Sequence, residues 1–226
     1  MKILVIGGGP AGLSAAALLA RMHKANRVTL IERRKREDER GLGVTLRNGA
    51  LEFLRLDSLL RPQCLEGRRF IVRGERRVDY PNPAGACLLT IARDELVAAL
   101  SARCEEAGVS IRYGVDAEQI PQTQLDELAL VVVADGARST IRARWAAAFG
   151  STLMHGSNQF AWLATTFSFR KLTILLADCA EPLLAWAYEY APGLSSFIVE
   201  RQRHVPSTDL APDTSQVPDH ITLARQ

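Results

Sequence analysis

The sequence predicts an α/β protein that begins with a Rossmann-like domain and continues into a smaller region rich in antiparallel sheet. Residues 2–6 are a short apolar run of the β type, residues 7–12 are glycine-rich, residues 13–22 are rich in alanine and leucine, and residues 27–31 are a second β-branched run. A strand, a loop, a helix and a strand within about 30 residues have the size of one βαβ unit. After residue 150, strand candidates follow one another without a helix between them, which favours antiparallel pairing.

The remaining elements follow from periodicity and from glycine and proline positions. In chain order the sequence predicts a helix over 48–60, a hairpin over 69–80, an amphipathic helix over 93–107 that stops at Gly108, a strand over 109–113, a buried parallel strand over 128–134, and strands over 160–169, 172–177, 184–190 and 196–200. These elements place a cofactor-binding domain at 1–150, with an inserted hairpin around 68–80. Part of a β-sheet substrate domain is expected at 151–201, and a disordered tail at 202–226.

Composition and charge exclude several classes of protein. The 226 residues carry 28 basic and 25 acidic side chains, a net charge of +3, which is too small and too dispersed to indicate a nucleic-acid partner. No apolar run reaches the roughly 18–20 residues that a membrane span needs. The four cysteines form no C-x-x-C pair and have no histidine at metal-ligand spacing, so we expect no metal site. Reduced thiols and a cytoplasmic location are the corresponding expectations.

The first motif that carries chemistry is Gly7-x-Gly9-x-x-Gly12. It follows a strand and opens a helix, and Glu32 stands at the end of the next strand, which is the context that the dinucleotide fingerprint requires. Gly7 permits a tight turn, Gly9 lets the backbone approach a pyrophosphate, and Gly12 allows close packing of helix on sheet. The helix N-terminus presents free N–H groups to phosphates. Glu32 can accept hydrogen bonds from ribose hydroxyls, and it would repel the 2′-phosphate of NADP.

The segment from Gly7 to Leu13, which includes Pro10 and Ala11, resembles the FAD-binding version of this motif more than the NAD version. A second segment, Val131 to Arg142, resembles the Asp-Gly motif of the aromatic-hydroxylase-type (class A) flavin monooxygenases. Asp135, Gly136, Arg138 and Arg142 match that pattern, and in the family the segment lies near the flavin. By itself an Asp-Gly turn after a strand is commonplace.

Further positions match the same family. Arg93 opens the helix at 93–107, where a family arginine helps to hold FAD, although it could also be a helix cap or an ion-pair partner. Arg33 is assigned to the cofactor site beside Glu32. The segment 41–46 resembles the family loop that approaches the flavin, and Arg47 after it is either a cofactor contact or an ordinary loop residue.

The region after residue 150 looks like a narrower subset, which acts on CoA-linked aromatic acids and on tryptophan-derived pigment precursors. The segments 160–165 and 195–200 carry that likeness, together with Tyr188, while Trp162, Tyr188 and Phe197 are individually more typical of sheet core. The likeness covers residues 1 to about 200. A later Gly-Asp motif of the family is missing, so a C-terminal truncation is expected.

The resemblance implies that NADH or NADPH reduces FAD and that O₂ then supplies the oxygen that hydroxylates an aromatic ring. No catalytic side chain is assigned, because the cofactor carries the chemistry and the histidines are isolated. A small aromatic substrate is the expected partner, and the oligomeric state stays open. Two other functions remain: a different FAD-dependent oxidoreductase, or a non-catalytic FAD-binding remnant or interaction protein.

Overall fold

The structure is a computed structural model that describes residues 1–35, 42–47, 49–73, 75–154, 156–177, 182–202 and 221–223. In chain order its elements are β1 (Lys2–Ile6), α1 (Pro10–Met22), β2 (Arg27–Glu32), β3 (Gly43–Leu46), α2 (Ala50–Phe53), β4 (Gln63–Cys64), β5 (Arg68–Val72), β6 (Arg76–Tyr80), β7 (Leu89–Ala92), α3 (Arg93–Glu106), β8 (Ser110–Tyr113), a 3₁₀ turn (Ala117–Gln119), α4 (Gln122–Asp126), β9 (Leu130–Val133), α5 (Thr140–Arg144), α6 (Ala146–Phe149), β10 (Asn158–Thr165), β11 (Leu172–Ala177), β12 (Leu183–Ala191), β13 (Leu194–Gln202) and β14 (Ile221–Leu223).

The chain groups into two units, each built from separate stretches. Unit 1 consists of Met1–Arg40, Leu51–Leu60 and Asp94–Met154, and unit 2 consists of Gly41–Ala50, Arg61–Arg93 and His155–Gln226. The hairpin around 68–80 therefore groups with the sheet-rich region after residue 154. Apart from Gln202 and β14, the predicted disordered tail lies outside the described residues.

Unit 1 contains a four-stranded parallel sheet in the order β8-β2-β1-β9. This sheet confirms the predicted Rossmann-like α/β class. Leu4, Ile6 and Ile31 form a buried cluster with Leu125 and Ile141. The strand predicted over 128–134 is β9, but it lies at the edge of this sheet and Leu130 is 40% exposed. The apolar run correctly predicted that β9 pairs in parallel, but the prediction that the strand is buried was too strong.

Helix α1 forms where alanine and leucine follow the glycine-rich turn. Pro10 is compatible with the first helical position, since its missing N–H would have no intrahelical partner there. Leu13, Ala16 and Ala17 are buried. Helix α3 contacts α1: the Cys104 thiol donates to the carbonyl of Leu13 at 3.2 Å. Both helices confirm the sequence-based positions.

The helix predicted over 48–60 is largely wrong. Of the described residues in this range, only Ala50–Phe53 are helical. Arg55 adopts φ of 55°, which is incompatible with a continuing helix. The chain goes on in hydrogen-bonded turns, and Leu56 and Leu60 in these turns are buried. The apolar spacing indicated correctly that this segment contributes leucines to a core, but a left-handed residue interrupts the helix.

Unit 2 contains a seven-stranded sheet in the order β14-β10-β13-β12-β11-β5-β6. The strands β10 to β13 pair antiparallel, as predicted. The hairpin of β5 and β6 extends this sheet, and β5 joins β11 in parallel with Phe70 opposite Ile174. A three-stranded sheet, β3-β7-β4, completes the unit. The strand predicted to reach residue 169 ends at Thr165, whose hydroxyl accepts from the amide of Phe167 at 3.1 Å.

The cysteines differ from the expectation of reduced thiols. Cys64 and Cys87 form a disulfide with Cα atoms 5.7 Å apart. Cys64 stands opposite Leu89 in the pairing of β4 with β7, which brings Cys87 close, and a separation of 23 residues does not reveal this in the sequence. Cys104 is free and buried. Cys179 lies outside the described residues. Within the described part of the chain, no helix combines the length and the apolar character needed to traverse a bilayer.

An ion-pair network joins β6 to the start of β11. Asp79 accepts from Arg69 Nε at 2.8 Å and from Arg69 Nη2 at 2.9 Å, and Lys171 Nζ lies 2.9 Å from Asp79 Oδ2. The hydrogen bonds from Arg69, followed by those from Lys171, hold the pKa of the Asp79 carboxyl well below its usual range. The network therefore links two strands that are almost a hundred residues apart in sequence.

We predict that Asp79→Asn lowers the free energy of unfolding at pH 7, because it removes the charge that Arg69 and Lys171 share. Since the folded-state pKa is depressed, this stabilisation is present above the unfolded carboxyl pKa of about 4 and is lost as the pH falls below it. Urea unfolding between pH 3 and pH 7 measures the effect. Glu75→Gln, in the turn of the same hairpin, is the matched control. A difference between wild type and Asp79→Asn that does not narrow at low pH would contradict the prediction.

We also predict that Cys104 resists alkylation in the folded protein. Burial raises the pKa of its thiol to about 11, so little thiolate is present at pH 8. Iodoacetamide labelling followed by mass spectrometry should show modification at least roughly tenfold slower in the native than in the urea-unfolded chain. Because the folded pKa is raised, the thiol stabilises the fold below about pH 9, and this contribution is lost as the pH rises towards 11. Equal labelling rates would show that α3 does not shield the thiol.

Candidate dinucleotide-binding site

The carboxyl ends of β1, β2 and β9 meet at one edge of the parallel sheet in unit 1. The amide of Gly7 donates to the carbonyl of Ile31 at 2.9 Å, and the amide of Ala134 donates to the carbonyl of Ile6 at 2.8 Å. Gly7, which follows β1, Glu32, the last residue of β2, and Asp135, shortly after β9, are therefore brought to the same edge. In open α/β sheets this edge is where ligands bind.

The glycines of the loop stand where no side chain fits. Gly7 has φ of 109°, and a Cβ there would lie 2.3 Å from the carbonyl oxygen of Ala134. A Cβ on Gly12 would lie 1.9 Å from the carbonyl oxygen of Gly7. Gly9 caps α1 in an extended conformation, and no side-chain hydrogen bond caps the N-terminus of this helix. This cradle of backbone fits a pyrophosphate, which needs close approach and N–H donors.

Glu32 is held against the glycine loop. Its Oε2 accepts from the amide of Gly8 at 2.5 Å, and its Oε1 accepts from the amide of Arg34 at 2.8 Å. A Cβ on Gly8 would come within 2.9 Å of the Glu32 Cβ, so this glycine also has to lack a side chain. Each carboxylate oxygen keeps acceptor capacity, which suits the hydroxyl groups of a ribose.

The Asp135-Gly136 turn continues from β9. Asp135 is half-buried, and Gly136 is exposed with φ of 90°. Ser139 caps α5 by accepting from the amide of Arg142 at 2.9 Å, and the Arg142 guanidinium donates to the carbonyl of Ala137 at 2.6 Å. The bond from Arg142 to Ala137 therefore holds the segment that follows Asp135 and Gly136 against the start of α5.

The other predicted residues have less defined surroundings. Arg33 and Ala11 are exposed, Pro10 is half-buried in the first turn of α1, and Arg138 is exposed after the Asp-Gly turn. Arg93 and Arg47 belong to unit 2, where the amide of Arg93 donates to the carbonyl of Leu42 at 3.1 Å. The structure thus brings together the glycine loop, Glu32 and the Asp-Gly turn in unit 1, and Arg33 follows Glu32 at the surface.

Sequence reasoning missed two contributors to this site. Gly8 supplies the amide that binds Glu32, and Ser139 supplies the cap that orders the Asp-Gly turn. A signal for Gly8 was present in the sequence. Within the run 7–9 the fingerprint requires glycine only at positions 7 and 9, so a third glycine between them indicates a further constraint at position 8. Ser139 stands immediately before a short helix, which is the usual position of a capping serine.

A parallel sheet, a glycine turn at a helix N-terminus and a carboxylate after the second strand define a Rossmann-type dinucleotide-binding protein. Residues 1–152 match the FAD binding domain family, and the chain belongs to this family of flavoproteins. FAD is the cofactor of the family, and the residues of the glycine loop and Glu32 fit it.

The relatives with similar sequences include a monooxygenase and a hydroxylase of aromatic acyl groups. The chain is 34% identical over 93% of its length to a 3-hydroxy-4-methyl-anthranilyl-[aryl-carrier protein] 5-monooxygenase of Streptosporangium sibiricum, of which it covers 60%. It is 33% identical over 88% of its length to a salicyloyl-CoA 5-hydroxylase of a Streptomyces species, of which it covers 39%. The chain therefore spans less than two thirds of these relatives.

Among solved structures, the fold resembles that of the tetrameric form of 2-methyl-3-hydroxypyridine-5-carboxylic acid oxygenase. The TM-score is 0.72, the identity is 20%, and the match covers 96% of this chain and 61% of the other. The likeness in fold therefore extends over both units.

We predict that Gly12→Ala impairs both folding and FAD binding. Alanine in a helix is ordinarily about 1 kcal/mol more favourable than glycine, but here its methyl group would overlap the carbonyl of Gly7. Thermal unfolding and a fluorescence titration with FAD should show a lower melting temperature and at least roughly tenfold weaker binding, as expected when a loop shifts away from its ligand. Gly156→Ala is the control, because a Cβ there meets nothing within 4 Å. Unchanged FAD affinity in Gly12→Ala would remove this loop from the cofactor site.

Proposed function

We propose that this chain carries the FAD-binding part of a monooxygenase that hydroxylates a small aromatic substrate with NADH or NADPH and O₂. The observation that carries the proposal is the meeting of the glycine loop, Glu32 and the Asp135-Gly136 turn at one edge of a parallel sheet. The family match over residues 1–152 and the aromatic monooxygenases among the relatives support it.

Each residue has a proposed part in binding. Backbone amides at the start of α1 bind the pyrophosphate, because the helix N-terminus carries partial positive charge. Glu32 accepts from the adenosine ribose hydroxyls while its backbone contacts keep it in place. The members assigned to the cofactor site in unit 1 are Gly7, Gly9, Pro10, Ala11, Gly12, Glu32, Arg33, Asp135 and Gly136, and a role for Arg93 of unit 2 stays a prediction from the resemblance.

When bound, FAD supplies the redox chemistry that carries electrons from the nicotinamide to O₂. The protein's contribution is to orient that group and to exclude water from it. The Asp-Gly turn, ordered by Ser139 and Arg142, provides a rigid edge for this purpose. No side chain is assigned a proton-transfer role.

The proposed substrate is an aromatic acid linked to CoA or to a carrier, or a tryptophan-derived pigment precursor. The names of the two relatives above, which refer to an anthranilyl-carrier protein and to salicyloyl-CoA, favour the linked acid. Of the aromatic residues singled out in the sheet, Tyr188 is buried and Phe197 packs on Phe169 with ring centroids 5.9 Å apart, which supports a core role. A cytoplasmic location without a nucleic-acid or membrane partner belongs to the same proposal.

The first test is flavin retention. Protein purified with excess FAD and passed over a desalting column should elute with bound flavin in the visible spectrum, while Gly12→Ala should elute with much less. Folding of both proteins is checked by circular dichroism. A folded wild-type chain that loses all flavin would contradict the assignment of a holoenzyme-like site and would favour the non-catalytic remnant.

The second test separates a monooxygenase from another FAD-dependent oxidoreductase. With NADH or NADPH and an aryl-CoA candidate under ¹⁸O₂, a monooxygenase places one labelled oxygen atom in the product. Oxidation of the nicotinamide with product that lacks the label would indicate a reductase or a dehydrogenase. If the chain binds flavin but gives no turnover, the proposed binding site stands and the proposed monooxygenase activity of this chain is contradicted.

A further inference from the structure

A row of apolar side chains crosses one face of the large sheet in unit 2. Trp162 of β10 stands opposite Ile198 of β13, and Ile198 stands opposite Trp186 of β12. Trp186 in turn stands opposite Ile174 of β11. Residues directly opposite one another in a sheet lie on the same face. We call these four residues the tryptophan row. Ile174 is buried, and the other three are half-buried.

Trp162 carries a donor that is buried without a partner. Its indole nitrogen Nε1 is shielded from solvent, and it makes no hydrogen bond to any part of the chain that the structure describes. A donor that loses its contact with water and gains no acceptor destabilises the fold. Such an atom in a folded protein therefore indicates a bound partner, either a ligand or an ordered water.

The composition of the row favours an organic acceptor over water. Ile198, Trp186 and Ile174 have apolar side chains or apolar faces, whereas an enclosed water needs two to four polar partners. A flat ring that bears a carbonyl group meets both conditions, since the ring packs on aromatic and aliphatic side chains and the oxygen accepts from an indole N–H. Phe160 and Leu176, in the next row along this face, are 61% and 42% exposed, so a small molecule can approach from there.

The charge beside the row favours a neutral carbonyl. Glu200 stands opposite Phe160 on one side and Leu184 on the other, one row along the same face. The tryptophan row itself contains no cation that would offset a carboxylate. A free aromatic acid would therefore bring its negative charge close to that of Glu200, whereas a thioester or an amide brings a neutral oxygen.

We propose that the tryptophan row binds the ring of an aromatic acyl group and that Trp162 Nε1 donates to its neutral carbonyl oxygen. Trp162 is then a specificity-determining residue, which selects an acyl group linked to CoA or to a carrier over the free acid. The proposal rests on the proposed function, because it concerns the substrate of that monooxygenase. All the residues that it uses belong to unit 2.

The test observes the indole N–H directly in the ¹⁵N-labelled full chain. The chain has three tryptophans, so its NMR spectrum contains three indole signals, which Trp145→Phe and Trp186→Phe assign. The probes are salicylamide, which has a neutral carbonyl, and salicylate, which has a carboxylate on the same ring. We expect salicylamide to move the Trp162 signal downfield and saturably, as a hydrogen bond to oxygen does. Salicylate should need roughly fivefold higher concentration, because of the charge on Glu200.

Substitutions separate the donor from the ring. Trp162→Phe keeps an aromatic ring and removes the N–H, so salicylamide should bind roughly fivefold more weakly, the effect of one lost hydrogen bond, with the Trp186 signal as reporter. The matched control is Trp145→Phe, the same change in unit 1, which should bind as wild type does. Glu200→Gln should bring the affinity for salicylate close to that for salicylamide, because it removes the adjacent charge. The melting temperature of each variant is recorded.

A Trp162 signal that salicylamide does not move would overturn the proposal. A lower melting temperature in Trp162→Phe with unchanged affinity would also overturn it, and would leave the residue a structural role. Both results leave the proposed function intact, because flavin retention is measured separately. A folded wild-type chain that loses all flavin would overturn the proposed function instead, and the titration of the flavin-free chain then decides whether Trp162 binds the carbonyl. If Trp162→Phe does not fold, the wild-type titration and Glu200→Gln decide.

Discussion

The close approach of two backbone segments in the first turn is the constraint on which the cofactor site depends. Helix α1 can begin at Pro10 only because Gly12 has no side chain to meet the carbonyl of Gly7. Gly7 in turn lies against the carbonyl of Ala134, at the end of β9. One set of small residues therefore fixes the helix N-terminus, the loop and the neighbouring strand end together.

The carboxylate at the end of β2 depends on the same constraint. Glu32 reaches the amide of Gly8 because the loop is bare of side chains at that point. Its second oxygen binds the amide of Arg34, so the side chain is oriented before any ligand arrives. Preorganisation of this kind lowers the entropy lost on binding, which is why a short, rigid loop can hold a long cofactor.

Unit 2 also contains a glycine at a position where no side chain fits. Gly43 is again a position without room for a Cβ, but hydroxyl groups of Tyr188 and Ser196 bind its backbone instead of another strand end. Each unit thus has a glycine within the family match at a point where no Cβ fits, Gly7 in unit 1 and Gly43 in unit 2. The stretch that matches the family is a sequence unit, whereas its anchors are distributed over the chain.

Residue patterns predicted most of the residues that the structure brings together at the candidate cofactor site. Gly7, Gly9, Gly12 and Glu32 were identified because the contacts of a βαβ unit lie within about 30 residues, where spacing and strand periodicity are informative. The same reasoning failed for the helix at 48–60, since φ of 55° at Arg55 is not marked by a glycine. It also overestimated the burial of β9, because an apolar run does not tell an inner strand from an edge strand.

By itself, then, the sequence determined the local unit and its chemistry: a strand, a bare glycine turn, a helix N-terminus and an acid at the next strand end. Only the tertiary structure decided that β5 pairs in parallel with β11, that Cys64 bonds to Cys87, and that Gly43 is bound by Tyr188 and Ser196. The physical reason is range. Contacts between segments up to 153 residues apart are selected by the packing of the whole sheet, and no local pattern of side chains specifies them.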